Sequence, residues 1–163
     1  MTAFTQIELR ATALVGMGDI VLLRQGETAR SVVGSCAGLM ICHRRLNIAA
    51  VAHIVLPEAA GRPGAPGKFA DTAIPYMVDL LRKEGAERTS LVAKVAGGAQ
   101  MFGVSGPLQI GDANIHAVAA ILSDLGVPLQ ARSADGTKGR KLTFRCDNGE
   151  ILVEVAGEAA FVL

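Results

Sequence analysis

Apolar residues recur at helical spacing in two stretches of this 163-residue chain and gather into short, strand-like runs through most of the rest. In the first stretch Ile74, Met77, Val78 and Leu81 fall three or four residues apart. Asp71 stands in an N-capping position, Pro75 falls in the first turn and Gly85 follows the last periodic residue. The spacing predicts a helix from Asp71, because a carboxylate can accept an unpaired N-terminal amide and glycine tolerates the left-handed turn that closes a helix. The second helix runs from Asp112, with Ile115, Val118, Leu122 and Leu125 on one face and Gly126 and Pro128 at its end. Met77, on the buried face of the first helix, is core material and not a cofactor ligand.

Extended structure is expected over 20–23, 31–41, 48–56, 91–96 and 127–131, where β-branched and small apolar residues crowd together. Near the end Leu142, Phe144 and Cys146 alternate with polar neighbours. The turn Asp147-Asn148-Gly149 then leads to Ile151, Val153 and Val155, a hairpin pattern in which Cys146 shares the Phe144 face as a structural thiol. Strands outnumber helices. No internal repeat, low-complexity tract or linker divides the chain, so residues 1–163 are read as one domain.

Composition narrows the function classes. Half of the residues are apolar, which supports a packed core without disulfides or metal, and the net charge of +1 recruits no polyanion. The basic pairs Arg44-Arg45 and Arg140-Lys141 are read as solvated turns and no strongly basic stripe is visible, so a nucleic-acid partner is not expected. Cys36, Cys42 and Cys146 lack metal-type CxxC spacing and cannot all pair, which fits a reducing, cytoplasmic setting. Glu8 and Arg10 interrupt the N-terminus where a secretory leader would be apolar. The most apolar run, 48–57, falls well short of the roughly 20 residues that span a bilayer, so direct membrane insertion is not expected.

The candidate chemistry lies in two blocks. Cys36, in Gly34-Ser35-Cys36, is followed 17 positions later by His53, in Ala52-His53-Ile54-Val55-Leu56-Pro57. A thiol is strongly nucleophilic only as thiolate, and an imidazole can take its proton, so one Cys and one His meeting in space suffice for acyl transfer. Taken singly, each also suits a plainer role, since free cysteines commonly fill cores and a histidine on an apolar strand is commonly a satisfied core residue. The small residues around Cys36 let a substrate approach the sulfur and leave backbone amides to stabilise an oxyanion, which raises Cys36 above Cys42 and Cys146. His43, beside Arg44-Arg45, and His116, off the apolar helix face, are read as solvated.

Three other motifs fail on detail. Gly61 to Lys68 looks like a phosphate loop, but Pro66 stands where the Walker pattern needs glycine and no Ser or Thr follows Lys68. It is read as a stiffened surface loop. Gly97-Gly98 signals close backbone approach more simply than a nucleotide site. Gly34-Ser35-Cys36-Ala37-Gly38 fits the nucleophile elbow of α/β-hydrolases, yet no periodic helix follows Cys36.

As a set, Gly34-Ser35-Cys36, Ala52-His53-Ile54-Val55-Leu56-Pro57, Lys68-Phe69-Ala70-Asp71-Thr72-Ala73, Lys94-Val95-Ala96-Gly97-Gly98-Ala99-Gln100-Met101-Phe102, Ile110-Gly111-Asp112-Ala113-Asn114 and Gly139-Arg140 resemble the CheD family of chemoreceptor glutamine deamidases. The resemblance implies an α/β fold of packed mixed β-sheets with flanking helices, related to the catalytic domain of cytotoxic necrotizing factor toxins. It assigns the nucleophile to Cys36 and the base to His53, and it implies no metal or organic cofactor. The implied substrate is a glutamine on methyl-accepting chemotaxis receptors, with the CheC phosphatase as a further partner of some members. The alternative within the same family is a non-catalytic adaptor that binds receptors or CheC.

The family usually carries a threonine five or six residues before the cysteine, where this chain has Arg30 and Ser31. A serine keeps the hydroxyl's donor and acceptor capacity, whereas arginine has no lone pair to offer an imidazole. Ser31 is therefore expected to orient His53. Phe69 and Ala113, where tyrosine and arginine are common in the family, are smaller departures.

Overall fold

The computed structural model describes residues 12–100, 109–134 and 136–163. Glu8, Arg10, Met101 and Phe102, used in the sequence reading, lie outside them. The chain runs through β1 (Thr12–Leu14), β2 (Ile20–Leu23), β3 (Thr28–Val33), β4 (Ala37–His43), β5 (Ile48–Ile54), α1 (Ala70–Lys83), β6 (Val92–Gly97), α2 (Ile110–Asp124), β7 (Leu129–Ser133), β8 (Arg140–Arg145), β9 (Glu150–Glu154) and β10 (Phe161–Val162).

Two five-stranded mixed sheets result, ordered β1-β3-β8-β9-β10 and β2-β5-β4-β6-β7. Pairing is antiparallel except for β1 with β3 and β6 with β7. Every residue of β4 and β5 is buried, which explains why these strands read as continuous apolar runs rather than alternating ones. Met40, Cys42, Ala49 and Val51 face the first sheet and meet Ala29, Val33, Leu142, Phe144, Ile151 and Val153. Leu39, Ile41, Ala50 and Ile54 face the other way, against Ile74, Met77 and Leu81 of α1 and Val118 and Leu122 of α2. The layers are thus sheet, sheet and helices, the α/β class that the sequence implied. Among the described residues no helix is long and apolar enough to cross a membrane.

Both helices end where glycine predicted. Gly85 donates to Arg82 O and Ala86 to Leu81 O, and Gly126 donates to Ser123 O and Val127 to Leu122 O, a Schellman closure in each case. The starts differ. α1 begins at Ala70, whose amide donates to the Leu56 carbonyl beside the Leu56–Phe69 bridge, so a backbone group takes the role expected of Asp71. Asp71 instead accepts from the Ala59 amide at 3.0 Å, and Pro75 falls in the helix interior. α2 begins at Ile110, two residues before Asp112.

Two solvation expectations are corrected. His43 is buried, because β4 is covered on both faces to its last residue; its Nδ1 accepts from the Leu46 amide and its Nε2 lies 3.5 Å from Glu87. Arg140 is not in a turn but opens β8 opposite Val33 and is buried, while Lys141 is exposed. Arg44, Arg45 and His116 are exposed as expected.

The first turn of α2 lies directly on the segment after β6, and Gly111 makes that approach possible. A Cβ there would press on the Gly98 and Ala99 carbonyls. Helix propensity alone would favour Gly111→Ala by about 1 kcal/mol. The clash with backbone oxygen reverses the sign, and urea unfolding should show a net loss of about 1–3 kcal/mol, the usual cost of overpacking.

Candidate active site

The apolar stretch expected to be continuous over 31–41 breaks at Gly34-Ser35-Cys36, where the chain leaves the first sheet and enters the second. Each carbonyl of this corner is tied down. Gly34 O accepts from the Ala99 amide at 2.9 Å, Cys36 O from the Gly98 amide at 2.9 Å, and Ser35 O from Asn114 Nδ2 at 3.0 Å. Gly97 and Gly98, at φ +121° and +67°, supply the left-handed backbone this requires, and a Cβ on Gly97 would collide with the Cys36 carbonyl. Among the described residues no group accepts from the Ser35 or Cys36 amides. The close approach foreseen at the diglycine is thus an approach to the backbone of Cys36.

His53 reaches the same place along β5. It pairs with Gly38, and the alternation of a strand turns its imidazole toward the first sheet, the side on which Cys36 packs. A Cβ on Gly38 would press on Leu142 and Phe144, so these side chains would have to shift to admit a larger residue opposite the imidazole. No hydrogen bond joins Cys36 Sγ to His53, and the two groups share a face without a ground-state bond, a common state of catalytic pairs without substrate.

The imidazole is oriented from across the sandwich. Ser31 Oγ lies 2.9 Å from His53 Nδ1 and donates to the Val15 carbonyl at 2.7 Å; Nδ1 is itself 3.3 Å from that carbonyl. A carbonyl only accepts, so Nδ1 carries the proton and Ser31 Oγ, whose own hydrogen is committed to Val15, accepts from it. Nε2 is left with a free lone pair. The two candidates for this role are separated by strand alternation: Ser31 points inward and is buried, while Arg30 points outward and is exposed.

Burial sets the electrostatics. Desolvation lowers the His53 pKa from 6.5, opposed by its bond to Val15 and by Asp19, and desolvation raises the Cys36 pKa from 9.0. Both shifts favour neutral forms, so near pH 7 the site holds a thiol and a neutral imidazole rather than an ion pair. Cys42 and Cys146 are buried in the core, with the Cys146 thiol pushed up to about 12 by desolvation first and by Asp147 and Cys42 next. Among the described residues no group of three His, Cys, Asp or Glu side chains is placed to hold a metal ion.

Two participants escaped the sequence reading. The Val15 carbonyl has no side-chain signature at all. Asn114 stood within a recognised block, but only the fold shows its amide on the Gly34–Cys36 corner. Because Cys36 alone among the thiols is partly exposed, iodoacetamide should label Cys36 in the folded protein near neutral pH, and Cys42 and Cys146 only after unfolding, as read by peptide mass spectrometry.

A family model described as CheD chemotactic sensory transduction matches residues 55–155, beginning just past His53. Over a longer span the chain is 34% identical to a chemoreceptor glutamine deamidase CheD of Thermotoga maritima across 145 residues, 88% of this chain and 92% of that one. It is 35% identical over 154 residues to a probable chemoreceptor glutamine deamidase CheD of Desulfitobacterium hafniense, covering 91% of this chain and 96% of the relative. The solved structure of Bacillus licheniformis hypothetical protein YfiH aligns over 71% of this chain and 49% of that chain, with a TM-score of 0.48 and 16% identity, too loosely to carry an argument. With the family model covering more than half its length and relatives about one-third identical over nearly all of it, the chain belongs to the CheD family.

Proposed function

We propose that this chain is a chemoreceptor glutamine deamidase in which Cys36 is the nucleophile, His53 the general base and Ser31 the group that orients His53. The observation that carries the reading is the hydrogen-bonded Nδ1 of His53, held by Ser31 Oγ at 2.9 Å and Val15 O at 3.3 Å, which leaves Nε2 basic on the face shared with Cys36. Family membership supplies the substrate class, since the relatives are named for glutamine on chemoreceptors.

In the first half-reaction His53 Nε2 takes the Cys36 proton as sulfur attacks the glutamine carbonyl carbon. The oxygen that becomes negative is met by the uncommitted amides of Ser35 and Cys36. The tetrahedral adduct collapses with cleavage of the C–N bond, and imidazolium returns its proton so that ammonia leaves and a thioester remains. In the second half-reaction Nε2 deprotonates water, hydroxide adds to the thioester, and the C–S bond breaks to give glutamate and the Cys36 thiol. The Ser31 and Val15 acceptors stabilise the imidazolium of both half-reactions, as an acceptor on Nδ1 does in serine and cysteine hydrolases.

Ammonia release from receptor cytoplasmic fragments tests the reading. Cys36→Ala should abolish release with the fold retained, as judged by circular dichroism; wild-type turnover in that variant ends the assignment. Full-strength receptor binding by the wild-type protein without any ammonia would instead establish the adaptor. Ser31→Ala leaves Val15 as one acceptor on Nδ1, so kcat should fall about 100-fold, the low end of the range for general acid-base catalysis. Unchanged kcat would show that the serine does not orient the base.

The pH dependence carries a sign. The reactive form has neutral imidazole and protonated thiol, so kcat/KM should be flat through neutrality and lose activity on the acid side only below pH 6.5, where His53 with its lowered pKa is protonated. The alkaline change should come above pH 9, because the Cys36 pKa is raised. An acid limb centred well above pH 6.5 would contradict a desolvated His53.

A further inference from the structure

The β4–β5 ladder ends at Ala37 opposite Ile54, one residue short of Cys36 and Val55. Beyond that point main-chain pairing no longer holds the nucleophile to the strand that carries the base. Asn114 of α2 fills the gap: its Nδ2 donates both hydrogens, one to Ser35 O at 3.0 Å and one to Val55 O at 2.9 Å. These carbonyls flank the dyad, one directly before Cys36 and the other two residues after His53.

We infer that Asn114 is a positioning residue for the deamidation, a side-chain rung that sets the register between Cys36 and His53. The carboxamide group is suited to this because a single planar NH2 offers two donors at a fixed angle. Its reach depends on glycine: a Cβ on Gly98 would press on Ile115 and the Gly111 carbonyl, and a Cβ on Gly111 on the Gly98 and Ala99 carbonyls, so larger residues would hold α2 off the corner. Asn114 is fully buried and its Oδ1 has no partner among the described residues, a cost to folding that makes stability alone a poor reason for an amide here. Loss of the rung frees the corner to shift relative to His53, and about 1 Å of misplacement costs on the order of 100-fold in rate.

The inference rests on Cys36 and His53 acting as nucleophile and base, and two readouts separate its failure from theirs. Asn114→Asp is nearly isosteric but sets a carboxylate oxygen against two carbonyl oxygens; Asn114→Ser, neutral and smaller, serves where the aspartate variant does not fold. On a receptor cytoplasmic fragment kcat should fall about 100-fold with KM within about threefold, because the substrate-facing surface is untouched. Independently of any substrate, the pH profile of Cys36 alkylation by iodoacetamide should show an acid-side limb that follows His53 in the wild-type protein, absent in His53→Gln. That limb should vanish in the Asn114 variants, leaving only the thiol's own ionisation. A merely structural role would lower Tm and leave the folded protein's kcat and alkylation profile unchanged, which overturns the inference. A wild-type profile without a His53-dependent limb overturns the pairing of Cys36 with His53 on which it rests.

Discussion

An imidazole enclosed between two β-sheets must find its hydrogen-bond partners inside the protein, and that requirement ties the two sheets of this molecule together. His53 is only 5% exposed, on a strand covered on both faces. Its Nδ1 is satisfied by Ser31 and Val15, which belong to β3 and to the segment after β1 on the opposing sheet. Leaving such a group unpaired would cost roughly 1–3 kcal/mol. The same contacts that remove this cost select the tautomer with a basic Nε2, so what satisfies the fold also leaves one ring nitrogen basic.

Cys36 is placed by a different device. A crossing between sheets has no ladder of its own, and the Gly34–Cys36 corner borrows hydrogen bonds from the loop after β6 and from α2. All of these engage carbonyls. The direction of the borrowed bonds therefore matters more than their number, because it leaves the Ser35 and Cys36 amides unengaged among the described residues. Glycine at 97, 98 and 111 brings three backbone segments close enough for this, at positions where a Cβ would strike backbone oxygen.

Electrostatics and geometry divide the work between them. Desolvation raises the Cys36 pKa and so favours the protonated thiol at neutral pH. A protonated thiol is slow to oxidise, since oxidation follows thiolate character. In the proposed reaction nucleophilicity then depends on proton transfer to His53 at the moment of attack, which places the burden on the alignment of sulfur, Nε2 and substrate. Under that proposal, residues that fix backbone register contribute to catalysis although they touch no reacting atom.

The sequence by itself determined the two helices, most of the strands and the candidate chemistry. Helical periodicity and closing glycines located both helices, continuous apolar runs marked the doubly buried strands, and Cys36 and His53 stood out by residue type and setting. Local patterns carry such information because propensity, burial face and turn chemistry act over a few residues. Tertiary structure decided what depends on distant backbone. Only the sandwich shows that alternation along β3 turns Ser31 inward and Arg30 outward, that a Leu56 carbonyl starts α1 in place of Asp71, and that His43 and Arg140 are buried. The Val15 carbonyl and the Asn114 rung were beyond the reach of pattern for the same reason: a main-chain oxygen is common to all residues, and an asparagine's partners are chosen by whichever segments the fold brings beside it.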